Sequence, residues 1–169
     1  ESNIRAYCEP NSFSGQPDIL YQNNGDGTFT DVTRTAGIFN PSGKGLGVTW
    51  GDYDNDSDLD IYIANDSTEN FFYQNNGDGK FEEIGFMIGL AVSEDGNAEN
   101  GMGTAFGDLN NDGWLDLIVT NYADQTNTLY RNDGDGFFTD ITRMSRTGKI
   151  SFPYLGWATF FFDYDNDGL

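Results

Sequence analysis

The chain has 169 residues, with eight Lys plus Arg against 28 Asp plus Glu and a net charge of −20. That length holds one ordinary domain with a real core, and so negative a field excludes phosphate backbones and anionic membrane surfaces as partners. With no His and a single cysteine, Cys8, the commonest general base, most zinc and redox chemistry and any intramolecular disulfide are excluded too. Cys8 reads as a free thiol or an intermolecular partner. No apolar run approaches the ~18 residues of a spanning helix, so no membrane insertion is expected. The sequence contains no basic n-region followed by an apolar h-region and cleavage site, which predicts a soluble chain or the mature part of a secreted one. Aromatic residues at 15% and 22 glycines point away from disorder and toward a turn-rich, all-β fold.

In chain order, residues 1–17 offer a degenerate second strand, Asn3-Ile-Arg-Ala-Tyr7. Residues 18–38 read as a third and fourth strand joined through Tyr21-Gln-Asn-Asn-Gly-Asp-Gly-Thr-Phe29, so that 1–44 is a partial unit. The Asn-Asn-Gly-Asp-Gly segment is a hairpin signal of type I′ chemistry, because these residues tolerate positive φ. That chemistry accounts for Asp26, Asp78, Asp133 and Asp135 without a second cation. A full unit occupies 45–100. Its strands are Gly45-Leu-Gly-Val-Thr-Trp-Gly-Asp52, Leu59-Asp-Ile-Tyr-Ile63, Asn70-Phe-Phe-Tyr-Gln74 and Lys80-Phe-Glu-Glu-Ile84. Residues 101–153 repeat it, with Gly101-Met-Gly-Thr-Ala-Phe-Gly-Asp108, Leu115-Asp-Leu-Ile-Val119 and Tyr130-Arg-Asn-Asp-Gly-Asp-Gly-Phe-Phe138. Residues 154–169 start another, with Gly156-Trp-Ala-Thr-Phe-Phe-Phe-Asp163 and most of an acidic loop.

The Asp residues that end the first strands lie 56 and 55 apart, and the hairpin tyrosines 52 and 57 apart. Two markers sharing one period make the chain a single repeat domain of about three units of 55–56 residues, each a four-stranded β-propeller-type blade. The connections at 36–44, 89–100 and 145–153 read as exposed loops. Trp50, Phe106 and Phe161 recur at one phase and read as a core stripe, with sugar stacking on exposed Tyr or Trp as the alternative. Asn65-Asp-Ser67 is an N-glycosylation sequon; Asn55-Asp-Ser57 also matches but lies inside an acidic loop.

The chemistry lies between the first and second strands. Asp52, Asp54, Asp56 and Asp60 hold positions 1, 3, 5 and 9 of one loop, and Asp108, Asn110, Asp112 and Asp116 hold them in the next. Asp163, Asp165 and Asp167 begin a third loop that stops at Leu169, before position 9. Eleven of the 28 acids sit in these loops. Alternate carboxylates on a tight loop converge on one point, where unit charges about 4 Å apart repel by roughly 4 kcal/mol at an effective dielectric near 20. Many hard oxygen ligands without His or Cys select Ca²⁺, with Mg²⁺ second. By this spacing the backbone carbonyl at position 7, from Asp58, Trp114 or Leu169, completes the set. Position 6 favours Gly, which the first loop replaces with Ser57. An EF-hand is excluded, because position 12 is Ile63 or Val119 in a strand-like run instead of Glu.

With these loops and their surrounding residues, Trp50-Gly-Asp-Tyr-Asp-Asn-Asp56 and Tyr21-Gln-Asn-Asn-Gly-Asp-Gly-Thr-Phe-Thr-Asp-Val32, the units resemble the FG-GAP or VCBS-type repeats of integrin α-subunit propellers, in particular a cartilage-acidic-protein-like branch. The resemblance implies propeller blades with one Ca²⁺ per acidic loop, an extracellular setting and a binding or adhesive role. Its ligand positions fall on the eleven position 1, 3, 5 and 9 residues named above. Family propellers have about seven blades and this chain has three units, so two arrangements are expected: part of a larger propeller, or head-to-tail assembly into a ring or filament by strand addition between copies. In the second, Glu1 or a nearby oxygen supplies the missing ninth ligand. The expected partner is a protein, a glycan or another copy. The alternative function is a carbohydrate-active or carbohydrate-binding propeller, since clustered carboxylates also serve glycoside chemistry. Against an enzyme stands the repetition of one ligand set in every unit, where an active site is unique.

Overall fold

The computed structural model describes residue 8 and residues 10–165. A hairpin of β1 (Tyr21–Asn23) and β2 (Phe29–Asp31) precedes two four-stranded antiparallel meanders. The first meander runs β3 (Gly45–Gly51), β4 (Asp60–Asn65), β5 (Phe71–Asn75) and β6 (Phe81–Glu83). The second runs β7 (Gly101–Gly107), β8 (Asp116–Asn121), β9 (Thr128–Asn132) and β10 (Phe138–Asp140). The chain is therefore a series of all-β, four-stranded blades.

Burial explains the apolar second strands. All six residues of β4 are buried. Ile61 and Ile63 join Ile38, Phe71 and Tyr73 in a cluster shared with the β1–β2 hairpin, whereas Tyr62 and Ala64 join Phe72, Leu117, Tyr130 and Phe138 in a cluster shared with the next blade. A strand covered on both faces needs apolar side chains on both, so alternation gives way to a continuous run.

The Gly-rich first strands have a steric cause. A Cβ on Gly47 would overlap the carbonyl oxygen of Met102, and one on Gly103 would overlap that of Trp157. Four residues on, the Phe106 ring covers Gly51 and the Phe161 ring covers Gly107. Successive inner strands thus meet in one register, with backbone against backbone.

Several expectations change. Residues 156–162 lie against the second blade without strand pairing: Gly156 N donates to Asn121 O at 3.1 Å and the Thr120 hydroxyl to Trp157 O at 2.7 Å. A first strand takes its ladder from its own second strand, and none follows among the described residues. The connections are not simply exposed, because they bury Ala36, Ile38, Leu90 and Ala91. They also bond to the following blade, with Phe81 N donating to Ala36 O at 2.8 Å and Phe138 N to Ile88 O at 3.0 Å. The connection after β10 coils into α1 (Thr142–Ser145) and α2 (Thr147–Ser151), joined at Arg146. The hairpin turns are longer than a two-residue type I′ turn; Asn24 N reaches Thr28 O at 3.0 Å, with φ of 80° at Gly25 and 92° at Gly27. Of the aromatic stripe, Phe106 packs on the shared core but Trp50 is 45% exposed. Asn3-Ile-Arg-Ala-Tyr7 and Glu1 lie outside the described residues.

Candidate metal centre

The first acidic loop is built by strands that end on either side of it. Positions 4 and 6 are left-handed, with φ of 59° at Asn55 and 77° at Ser57. The second loop repeats this, with 57° at Asn111 and 88° at Gly113. A left-handed position is natural for Asn and Gly and unfavourable for Ser, by about 1–2 kcal/mol before chain entropy is counted. Ser57→Gly is therefore expected to raise stability by about 0.5–1 kcal/mol in a urea titration, and Gly113→Ser to lower it by a similar amount.

These two twists turn the carboxylates inward. Asp52, Asp54 and Asp60 bring one oxygen each to within 4.8 Å of one another. Asp52 is anchored by two backbone donors, Asp56 N and Ser57 N, both at 3.0 Å. Asp54 Oδ2 accepts from Gln74 Nε2 at 2.8 Å, whereas its Oδ1 is buried with no hydrogen-bond partner. Asp60 is 1% exposed and accepts from Tyr53 N at 3.1 Å and Asn75 N at 2.9 Å. Burial raises the Asp60 carboxyl to about 6 and also lifts Asp54. Asp56 turns back on its own loop to accept from Asp58 N, and the Asp58 side chain lies over Gly77 of the hairpin.

The second loop has the same wiring with one altered ligand. Asp108 accepts from Asp112 N and Gly113 N, and buried Asp116 accepts from Leu109 N and Asn132 N at 2.9 Å each. Burial again raises the position 9 carboxyl. Asn110 Oδ1 accepts from Asp112 N and its Nδ2 donates to Asp112 Oδ2, so position 3 here carries no charge. Trp114 lays its indole over Gly134. In the third loop Asp163 and Asp165 are exposed, while Asp167 and Leu169 lie outside the described residues.

Two features test whether a cation fits. The orphaned buried oxygen of Asp54 faces the company of two more carboxylates, and no Lys or Arg pairs with the cluster among the described residues. Such a site is short of positive charge, and a hard divalent ion matches the all-oxygen donor set.

Some functional residues escaped the sequence reading. Gln74, Asn75 and Asn132 looked like strand ends and turn formers, yet they hold the loop carboxylates in place. Asn75 Nδ2 donates to Leu59 O at 3.2 Å, and Asn132 Nδ2 to Tyr53 O at 2.8 Å. The signal is the recurrence of Asn75 and Asn132 at one phase beside each acidic loop; Gln74, whose counterpart is Arg131, carries none. The sequon at Asn65 needs correction. Its side chain is fully buried, with Oδ1 accepting from Lys44 N at 2.8 Å and Nδ2 donating to Glu69 O at 2.7 Å, so the fold leaves no room for a glycan on that nitrogen. Asn121 holds the same place in the next blade and donates to Thr126 O.

A cavity of about 630 Å³ lies away from the acidic loops and includes Glu99, Asp140, Arg143 and Lys149 in its lining. Four carboxyls line it: Glu94 and Asp95 pair with Arg143 at 3.5 Å, Glu99 accepts from the Thr128 hydroxyl, and Asp140 accepts from Thr142 N as Asp31 does from Thr33 N in the first unit. The Asp140 bond recurs in the repeat, as a turn former's does.

The sequence matches the FG-GAP-like repeat family over residues 11–63, 52–119 and 108–169. Among curated proteins, cartilage acidic protein 1 of Xenopus tropicalis is 31% identical over 125 residues, covering 73% of this chain and 18% of that protein. The Mus musculus protein of the same name is 29% identical over 139 residues, 81% of this chain and 20% of that protein. The chain thus spans about a fifth of the length of these relatives. With the family match running from residue 11 to residue 169 and the acidic loop recurring in each matched segment, the chain belongs to the FG-GAP-like repeat family.

Proposed function

We propose that this chain is a calcium-stiffened β-repeat scaffold for extracellular interaction or adhesion, not an enzyme. The observation that carries this reading is the first acidic loop, where three carboxylates converge and a buried Asp54 oxygen lacks a partner. Asp52, Asp54, Asp56 and Asp60 with the Asp58 carbonyl would hold one ion, and Asp108, Asn110, Asp112 and Asp116 with the Trp114 carbonyl a second. The ion neutralises the cluster and locks the turn between the first two strands of its blade. Extracellular calcium modules bind at about 10⁻⁴ to 10⁻³ M, which suits a protein filled outside cells. The relatives' name, cartilage acidic protein, supports that setting. Their greater length supports a reading in which neighbouring blades belong to a longer chain, and the partner, a protein or a glycan, meets the assembled propeller.

Thermal unfolding with calcium, with magnesium and with chelator tests the reading. At tenfold excess over Kd each filled loop adds about 1.4 kcal/mol. Two loops should then raise Tm by roughly 6–10 °C, with a smaller response to magnesium. A Tm indifferent to calcium and chelator would refute it.

A further inference from the structure

The two acidic loops are joined to each other by three contacts across the blade boundary. At position 2 of the first loop, the buried Tyr53 ring packs on Phe72 of its own blade, with centroids 4.8 Å apart, and stacks on Phe138 of the next at 6.1 Å. The backbone carbonyl of Tyr53 accepts from Asn132 Nδ2 at 2.8 Å, and Asn132 N in turn donates to Asp116, position 9 of the second loop. At position 4, Asn55 Nδ2 donates to the carbonyl of Gly113, position 6 of the second loop, at 3.2 Å. The peptide between Gly113 and Trp114 is thereby held at both ends, since Trp114 N donates to Asp112 Oδ1 at 2.9 Å.

From this wiring we infer that the two loops fill cooperatively, each ion tightening the binding of the other; the inference rests on the calcium reading above. An ion in the first loop fixes the carboxylates of Asp54 and Asp56 and so the Asn55 side chain between them. It also fixes the Tyr53 peptide. Those groups then hold Gly113 and Asn132 in the positions that the second loop needs. Part of the ordering entropy of the second loop is spent before its own ion arrives, which appears as higher affinity. The coupling is reciprocal by thermodynamic linkage. Asn at position 4 of the first loop suits both tasks: it accepts the left-handed backbone and its side chain reaches the neighbouring loop.

Calcium titrations followed by calorimetry and by backbone amide NMR test this on the whole chain. Ser57 N–H and Gly113 N–H, each bonded to the position 1 carboxylate of its own loop, report the two loops separately. Asp54→Asn combined with Asp56→Asn leaves the first loop fewer carboxylates than the second and empties it while keeping acceptors for Gln74 and Asp58 N, and the second loop should then bind calcium about fivefold or more weakly than in the wild type. Asn55→Gly keeps the left-handed turn and removes only the bridging amide. It should leave both loops binding but shrink that dependence. Equal second-loop affinity in the wild type and the variant combining Asp54→Asn with Asp56→Asn, within twofold, overturns the coupling and leaves the calcium reading standing. A dependence unchanged in Asn55→Gly also overturns the assignment to this bridge. Failure of the wild type to take calcium at either reporter overturns both.

Discussion

Asp60→Ala is expected to lose on the order of 2–4 kcal/mol of folding stability in chelator at pH 5, where no ion contributes. The side chain is buried and its two oxygens take the N–H groups of Tyr53 and Asn75, tying the acidic loop to the hairpin of its own blade. Removing it orphans two donors, each worth about 1–3 kcal/mol when buried. Asp116→Ala should behave alike, because Leu109 N and Asn132 N lose the same support. Asp54→Asn is the contrast: in chelator at pH 5 it should be nearly neutral, and its main effect should be a weakened response to calcium. The acid at position 9 is thus a staple as well as an expected ligand, whereas position 3 serves the ion.

The pH dependence separates these roles further. Burial lifts the folded-state Asp60 carboxyl to about 6, above its unfolded value near 4. A group raised on folding contributes stability that is present below the unfolded pKa and lost as pH rises through the folded one. The metal-free wild type should therefore weaken between pH 5 and pH 7, with Asp60 supplying about 1 kcal/mol of the change and Asp54 and Asp116 adding in the same direction. Asp60→Ala lacks its share, so its deficit narrows toward pH 7. Urea titrations in chelator at the two pH values measure this. A deficit equal at both, or absent at pH 5, would show that Asp60 is held as a ligand alone.

Much of this was legible in the residues because the repeat writes each feature more than once. Strand positions, the acidic loops and the left-handed position 6 follow from local chemistry, which a sequence states directly. What escaped is nonlocal. The burial of Asn65 depends on Lys44 and Glu69 closing over its amide, and a sequon pattern carries no sign of that closure. Ala36 and Ile38 looked like loop residues because the surface they cover, on the following blade, lies far along the chain. Trp50 departs from the core stripe for the opposite reason: Phe106 and Phe161 each cover a glycine of the unit before, and Trp50 meets only the edge of Phe81. Position in a repeat predicts a contact only where the neighbouring unit is present to make it.

That dependence on neighbours gives the other large effect, at the glycines of the inner strands. Gly47→Ala and Gly103→Ala are each expected to cost on the order of 3 kcal/mol, near the upper end of ordinary overpacking, because the added methyl meets a backbone carbonyl that cannot rotate away. Gly96 supplies the comparison: it has φ of 75° and open space around its Cα, so Gly96→Ala bears only the left-handed penalty of about 1–2 kcal/mol. Urea unfolding of the three variants should rank Gly47 and Gly103 well above Gly96, and the reverse order would refute the close approach of successive inner strands. The third copy of this strand reads Ala158 where the others have Gly47 and Gly103, and Phe162 where they have Gly51 and Gly107. Phe162 is exposed. The hollow that receives a neighbouring backbone and ring is therefore encoded twice, and the outer side of residues 156–162 presents a methyl and an aromatic ring in its place. Ala158→Gly should then be nearly neutral here, since no described residue presses on that side, whereas Gly103→Ala, one unit earlier and chemically its inverse, is severe.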